Sequence, residues 1–188
     1  MNDALAGMDR VRSGRVPSPT GAILDSQSGK TTEAGGPRGY DADNKVKGRK
    51  RQVLVDVNGR ALLIRVQPAC VQDRNAAASL LNDLHQRRPY IRLAYADAGC
   101  SGPMVAKCSS ISVQIGSRPP GQIGFAVQPR RWVVERFFAL IGRSRRLAKD
   151  YEATIKSAET MMRMASAITL IRRSARCCTD PERTLRIR

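Results

Sequence analysis

The chain is poor in the side chains that most often carry nucleophilic or metal chemistry. His85 is the only histidine among 188 residues, so histidine-based catalysis and histidine metal clusters have no partner set, and it reads as a solvated helix residue. The five cysteines, Cys70, Cys100, Cys108, Cys177 and Cys178, are odd in number and form no C-x-x-C pair. Neither a disulfide framework nor a zinc ribbon is supported, and reduced thiols fit best. No apolar run approaches the roughly 20 residues of a membrane span, and the opening M-N-D-A-L-A-G-M-D-R lacks the apolar core of a signal peptide. A cytoplasmic protein with no membrane partner is therefore expected. Acidic residues are scarce as well: 16 stand against 33 lysines and arginines, a net charge of +17. That excess points to a polyanionic partner, nucleic acid before anionic membrane.

What is present suffices for one α/β domain with tails, since 41% of the residues are hydrophobic. Residues 1–20 are polar and broken by Ser, Gly and Pro, which predicts a disordered N-terminal arm. Gly21-Ala22-Ile23-Leu24-Asp25 reads as a buried strand that delivers Asp25 to its C-terminal edge. Ser26 to Arg51, rich in Gly, Lys and Arg, reads as a loop with a basic end. Asn58-Gly59 then separates two β-branched runs, 52–57 and 61–66, a strong hairpin signal. Asp73 is placed to cap a helix with the apolar face Ala77, Leu80, Leu81 and Leu84. A strand from Tyr90 to Asp97 again ends in an acid; a short helix over 103–109 and a strand over 111–115 follow.

Pro129 is suited to open a long helix, after which Val134, Phe137, Phe138 and Ile141 recur at i, i+3, i+4 and i+7. The apolar stripe resumes through Ile155, Ala158, Met162, Ala165 and Ile168, as a second helical segment or a continuation of the first. From residue 177 to 188 the period is lost and a loose C-terminal tail is expected. The domain proper thus spans 21–176.

Two predicted strands end in acids, and the long helix carries Glu135 in its second turn. The plain reading of Glu135 is an i, i+4 ion pair with Arg131, contributing about 0.2–0.5 kcal/mol. The sharper reading is a shared metal site, because ligands collect at the carboxyl ends of strands in α/β sheets and acids from distant segments can meet there. Three carboxylates without imidazole or thiolate suit Mg²⁺ or Mn²⁺. Two such ions about 3.5–4 Å apart activate the attacking oxygen and stabilise the leaving oxygen of a phosphodiester.

The blocks L-D-S-Q-S-x-K-T-T-E-A-G-G-P-R-G-Y-D, K-V-K-G-R-K-R, V-Q-D-R, A-D-A-G and P-R-R-W-V-V-E-R, followed by R-R-L-A-K-D-Y-E, resemble the DDE transposases of the bacterial insertion-sequence-five group. The resemblance spans about Gly21 to Arg176. It implies a ribonuclease-H-like fold: a mixed sheet flanked by helices, with a long C-terminal helical segment. It also implies that Asp25, Asp97 and Glu135 are the catalytic residues and hold two Mg²⁺ or Mn²⁺ ions. The implied partner is double-stranded DNA, at transposon ends and in the target, in a bacterial cytoplasm at the nucleoid. A homo-oligomer on DNA and an upstream-frame product remain open as further partners. Members of the group carry a further N-terminal region, so the chain resembles a truncated or second-frame product. Within the wider Tyr-x2-Arg-x3-Glu-x6-Lys signature, Arg131 and Glu135 match, Gln128 and Gly142 replace the Tyr and Lys, and Arg143 or Lys149 stands nearby as a substitute.

Lys45, Lys47, Arg49, Lys50 and Arg51 precede the hairpin, Arg130, Arg131 and Arg136 flank the acid, and Arg143 and Lys149 lie beyond it. These are the candidate phosphate contacts. Trp132 is a candidate for stacking on an unpaired base, although packing is the stronger expectation for a lone tryptophan. Ser28-Gly29-Lys30-Thr31 mimics half a P-loop, but the first glycine of that motif would fall on Leu24, and Gly35-Gly36-Pro37 would end the required helix at once. A nucleotide hydrolase is disfavoured. Two functions remain: a metal-dependent DNA strand-transfer enzyme, and a catalytically inactive basic DNA-binding relic of one.

Overall fold

In the computed structural model, which describes residues 1–103, 105, 110–116 and 130–179, alternating side chains sort the apolar residues onto two faces of a mixed sheet. The elements, in order, are α1 (Asn2–Arg12), β1 (Gly21–Lys30), β2 (Gly39–Asp41), β3 (Val46–Val55) and β4 (Ala61–Pro68). Then come α2 (Asp73–Arg87), β5 (Leu93–Asp97), a 3-10 turn at Ala98–Cys100, β6 (Ser112–Gly116), α3 (Arg131–Gly142), α4 (Arg145–Ala148) and α5 (Ile155–Thr179).

β3 pairs antiparallel with β1, while β2 and then β4 follow one another along its outer edge. On the other side β1 pairs parallel with β5, and β5 with β6. This order, β4-β3-β1-β5-β6, is the ribonuclease-H-like arrangement. Leu24, Leu54 and Ala94 pack beneath α2, whereas Ile23, Val53 and Val55 pack beneath α3 and α5. The apolar stripe of α3, Val134, Phe137, Phe138 and Ile141, is buried as its spacing predicts. Each such side chain stabilises by about 1.5–3 kcal/mol, so α3 is fixed on the sheet. The Asn58-Gly59 hairpin also forms, with Gly59 at φ +79 and the Asp56 carboxylate accepting from Asn58 and Arg60 N–H. No described helix is long and apolar enough to cross a membrane.

Several expectations are corrected. The segment 1–20, read as a disordered arm, contains α1, which lies against α5 and β4. Its anchor is ionic rather than apolar: buried Asp9 meets Arg60 at 2.7 Å and Arg173 at 3.2 Å, and Arg10 meets Asp56 at 2.6 Å. An interface made of charges leaves no hydrophobic period to read. Ser26 to Arg51 is not a loop either; β1 runs on to Lys30 and β3 begins at Val46, joined from Ile23–Val55 to Lys30–Gly48. Asp73 is the first residue of α2, and the cap position before it is held by Gln72. The stripe from Ile155 is a separate helix, α5, and it continues to Thr179, beyond the expected domain end. Pro129, the 119–121 loop, most of the 103–109 helix and residues 180–188 lie outside the described residues.

Candidate active site

Parallel pairing sets the first two acids level. β1 and β5 match Gly21 with Leu93, Ala22 with Ala94 and Ile23 with Tyr95, so two residues further on Asp25 stands beside Asp97. Both follow the side-chain alternation of Ile23, which faces α3. Over that same face, α3 presents Arg131 and Glu135 one helical turn apart, on the same side.

The three acids converge on one guanidinium. Arg131 Nη1 donates to Asp97 Oδ2 at 2.8 Å, and Arg131 Nε lies 3.2 Å from Glu135 Oε1 and 3.9 Å from Asp25 Oδ2. That Nε is buried yet makes a hydrogen bond to neither acid. The guanidinium therefore meets Asp97 by a directed hydrogen bond but Asp25 and Glu135 by charge alone, whereas a spherical cation has no directional demand. Among the described residues no three acids are spaced to hold a metal as they stand, and the Arg131 guanidinium lies among these three. The donor set itself, three carboxylates around one cation and no imidazole or thiolate, is of the hard-oxygen kind that suits a divalent ion.

Asp25 is the buried member of the acid cluster, only 13% exposed. Burial lifts its pKa from 3.8 to about 6; the Ser26 N–H and Arg131 pull it down, and the charges of Asp97 and Glu135 push it up again. Asp97 is oriented by its own turn, accepting the Ala98 N–H at 2.7 Å. Glu135 is exposed on α3, which opens the pocket to a groove of about 730 Å³ lined by Asp25, Arg51, Arg131, Glu135, Phe138 and Lys149, among others.

The predicted basic residues divide sharply. Arg49, Lys50 and Arg51 are buried and engage the protein itself, which corrects their reading as phosphate contacts. Arg49 donates to Pro37 O and Glu152 O at 2.7 Å, to Ala153 O at 3.1 Å and to Asp150 at 3.2 Å. Lys50 bridges Asp41 and Asp73, and Arg51 donates to Leu147 O at 2.7 Å. Lys45, Lys47, Arg130, Arg143 and Lys149 are exposed. Arg130 lies over the Tyr95 ring, 4.4 Å from its centroid. Exposed Arg136 stacks on Trp132, which is 52% exposed rather than packed in the core. Of the two candidates to replace the missing signature lysine, Lys149 lines the acid groove.

By its place in the sequence Asp73 is expected only to cap a helix. It instead accepts from Ser26 Oγ at 2.9 Å and pairs with Lys50 at 3.2 Å, beneath the opposite face of β1. Its negative charge, with those of Asp25 and Asp97, adds to burial in pushing the Cys100 thiol up to about 12. The V-Q-D-R block was the available signal. Cys100 is thus an inert thiol rather than a nucleophile.

A solved structure described as "Crystal structure of the Mos1 mariner paired end complex with Mn" aligns at TM-score 0.41 and 11% identity, covering 94% of this chain and 62% of that one. This chain therefore spans less than two thirds of that structure's length. No curated protein matches. The family model described as "Transposase DDE domain" matches residues 17–170, most of the chain and all three converging acids. The chain belongs to the transposase DDE domain family.

Proposed function

We propose that the chain is the catalytic portion of a transposase of the bacterial insertion-sequence-five group. It cuts phosphodiester bonds at transposon ends and joins the freed 3′ ends to target DNA, at the nucleoid of a bacterial cytoplasm. The observation that carries this reading is the convergence of Asp25, Asp97 and Glu135 on the Arg131 guanidinium. Asp25, Asp97 and Glu135 would hold two Mg²⁺ or Mn²⁺ ions. Bound there, the ions supply an activated attacking oxygen and charge stabilisation for the leaving oxygen. Arg131, turned out of the acid pocket, is placed to grip a phosphate, and Lys149 lines the same groove. Lys45, Lys47, Arg130, Arg136, Arg143 and Trp132 are the exposed positions for DNA contact. Self-association on DNA is part of the proposal.

A second reading, a DNA-binding relic without catalysis, draws on the Arg131 guanidinium standing among the three acids. Nicking of a supercoiled donor plasmid with Mn²⁺ separates the two. The active reading expects cleavage by the native chain and none by Glu135→Gln, with DNA retention equal in both. Equal nicking by both proteins would remove the acids from the chemistry, and retention without nicking by either would favour the relic.

A further inference from the structure

Beside the acid groove lies a second depression of about 860 Å³, lined by Lys30, Arg38, Lys45, Lys47 and Lys149 together with the rings of Tyr40 and Tyr151. Tyr40 is 56% and Tyr151 43% exposed. Glu33 is the one carboxylate in the lining, and among the described residues none of the five cations has an ion-pair partner. Five unpaired cations in one concavity repel one another unless an anion enters.

The walls are built rather than loose. Buried Arg49 ties Pro37 O on one side to Glu152 O and Ala153 O on the other. Asp150 N donates to Lys30 O at 2.8 Å, and Thr32 N donates to Asp150 O at 3.1 Å, so the end of β1 is stitched to the segment carrying Lys149 and Tyr151. Tyr40 sits on β2 opposite Lys47 of β3. The turn between those strands, organised by Asp41 accepting from Asp43 and Asn44, holds Lys45 at φ +53 and presents it outward.

We propose that this trough binds an unpaired DNA strand leading away from the acid groove. Phosphates lie along the lysines, and bases stack on Tyr40 and Tyr151. Base faces are hidden inside a duplex, so exposed tyrosine rings among cations favour single-stranded over paired DNA. Continuity decides which strand: Lys30 and Lys149 line both depressions, so a chain passing the acids enters the trough directly. The inference rests on the DNA-cleaving reading above and names the form of DNA beside the cut.

The test is fluorescence anisotropy with the full chain on two DNAs: a blunt duplex, and the same duplex with an unpaired extension of about six nucleotides. The native chain is expected to bind the extended DNA about tenfold or more tightly than the blunt one. The pair Tyr40→Ala and Tyr151→Ala abolishes that preference and leaves blunt-duplex affinity unchanged, whereas Tyr40→Phe with Tyr151→Phe keeps it. Both rings are exposed, and an unchanged thermal transition checks the fold. Lys45→Ala with Lys47→Ala weakens binding and lowers the salt slope by about one per lysine. Equal binding of both DNAs by the native chain, or a preference that survives both alanines, overturns the trough and leaves the DNA-cleaving reading standing. Binding of neither DNA overturns that reading and the trough with it.

Discussion

Replacing Asp25 by Asn is expected to stabilise the metal-free protein, and the size of the gain follows from its surroundings. Burial beside Asp97 and Glu135 lifts Asp25 from 3.8 to about 6, against the pull of Ser26 N–H and Arg131. A shift of about two units at 1.36 kcal/mol each makes the ionised carboxylate cost the fold about 3 kcal/mol. The native state holds this proton more tightly than the unfolded chain. Stability therefore falls as pH rises from about 4 to about 6, and the full cost persists above that window. Asn removes the charge and keeps an oxygen for the Ser26 N–H. At 2–4 °C per kcal/mol for a chain of this size, the melting temperature in chelator at about pH 8 rises by as much as about 10 °C. Near pH 4 the two proteins melt together. Added Mn²⁺ stabilises the native chain alone and narrows the gap at high pH. A variant that melts at or below the native temperature at pH 8, or a gap that ignores pH, would refute the reasoning.

Two further substitutions probe the same frame. Arg131→Ala removes the cation that stands among the three acids, so Mn²⁺ affinity measured by titration calorimetry without DNA should rise about tenfold; unchanged or weaker binding would show that the guanidinium does not compete. Arg49→Ala leaves Asp150 buried without its ion-pair partner and frees four carbonyls, and should cost about 3–5 kcal/mol in urea unfolding; an unshifted midpoint would contradict the clamp.

The parts legible in sequence were those written as apolar period or turn chemistry. The Asn58-Gly59 hairpin, the α2 face and the α3 stripe all carry a repeat that burial alone explains. Asp97 ends β5 as its apolar run implies, whereas Asp25 lies midway along β1, which runs on to Lys30; the parallel register, not a shared strand end, sets the two acids level. What escaped was held by charge. α1 docks through Asp9 and Arg10, and the basic half of β3 is a strand whose arginines and lysine turn inward to carboxylates and carbonyls. Composition reads such a segment as a solvated loop, because nothing local reveals that Asp150, more than a hundred residues away, awaits Arg49. The inward side chains also explain why a basic run overstated the surface available to phosphate, while Tyr40 and Tyr151, scattered singly in the chain, gave no local signal of their shared depression.

Two of the three acids ride on neighbouring strands of one sheet, whose separation is set by backbone hydrogen bonds at about 4.7–4.9 Å. Their mutual spacing is thus fixed by main-chain geometry and is deaf to most side-chain replacements around them. Glu135 alone stands on a helix, seated on Val134, Phe137, Phe138 and Ile141. Trimming or enlarging those four side chains would slide α3 across the sheet and alter the aperture of the acid cluster, leaving its two strand-borne members in place.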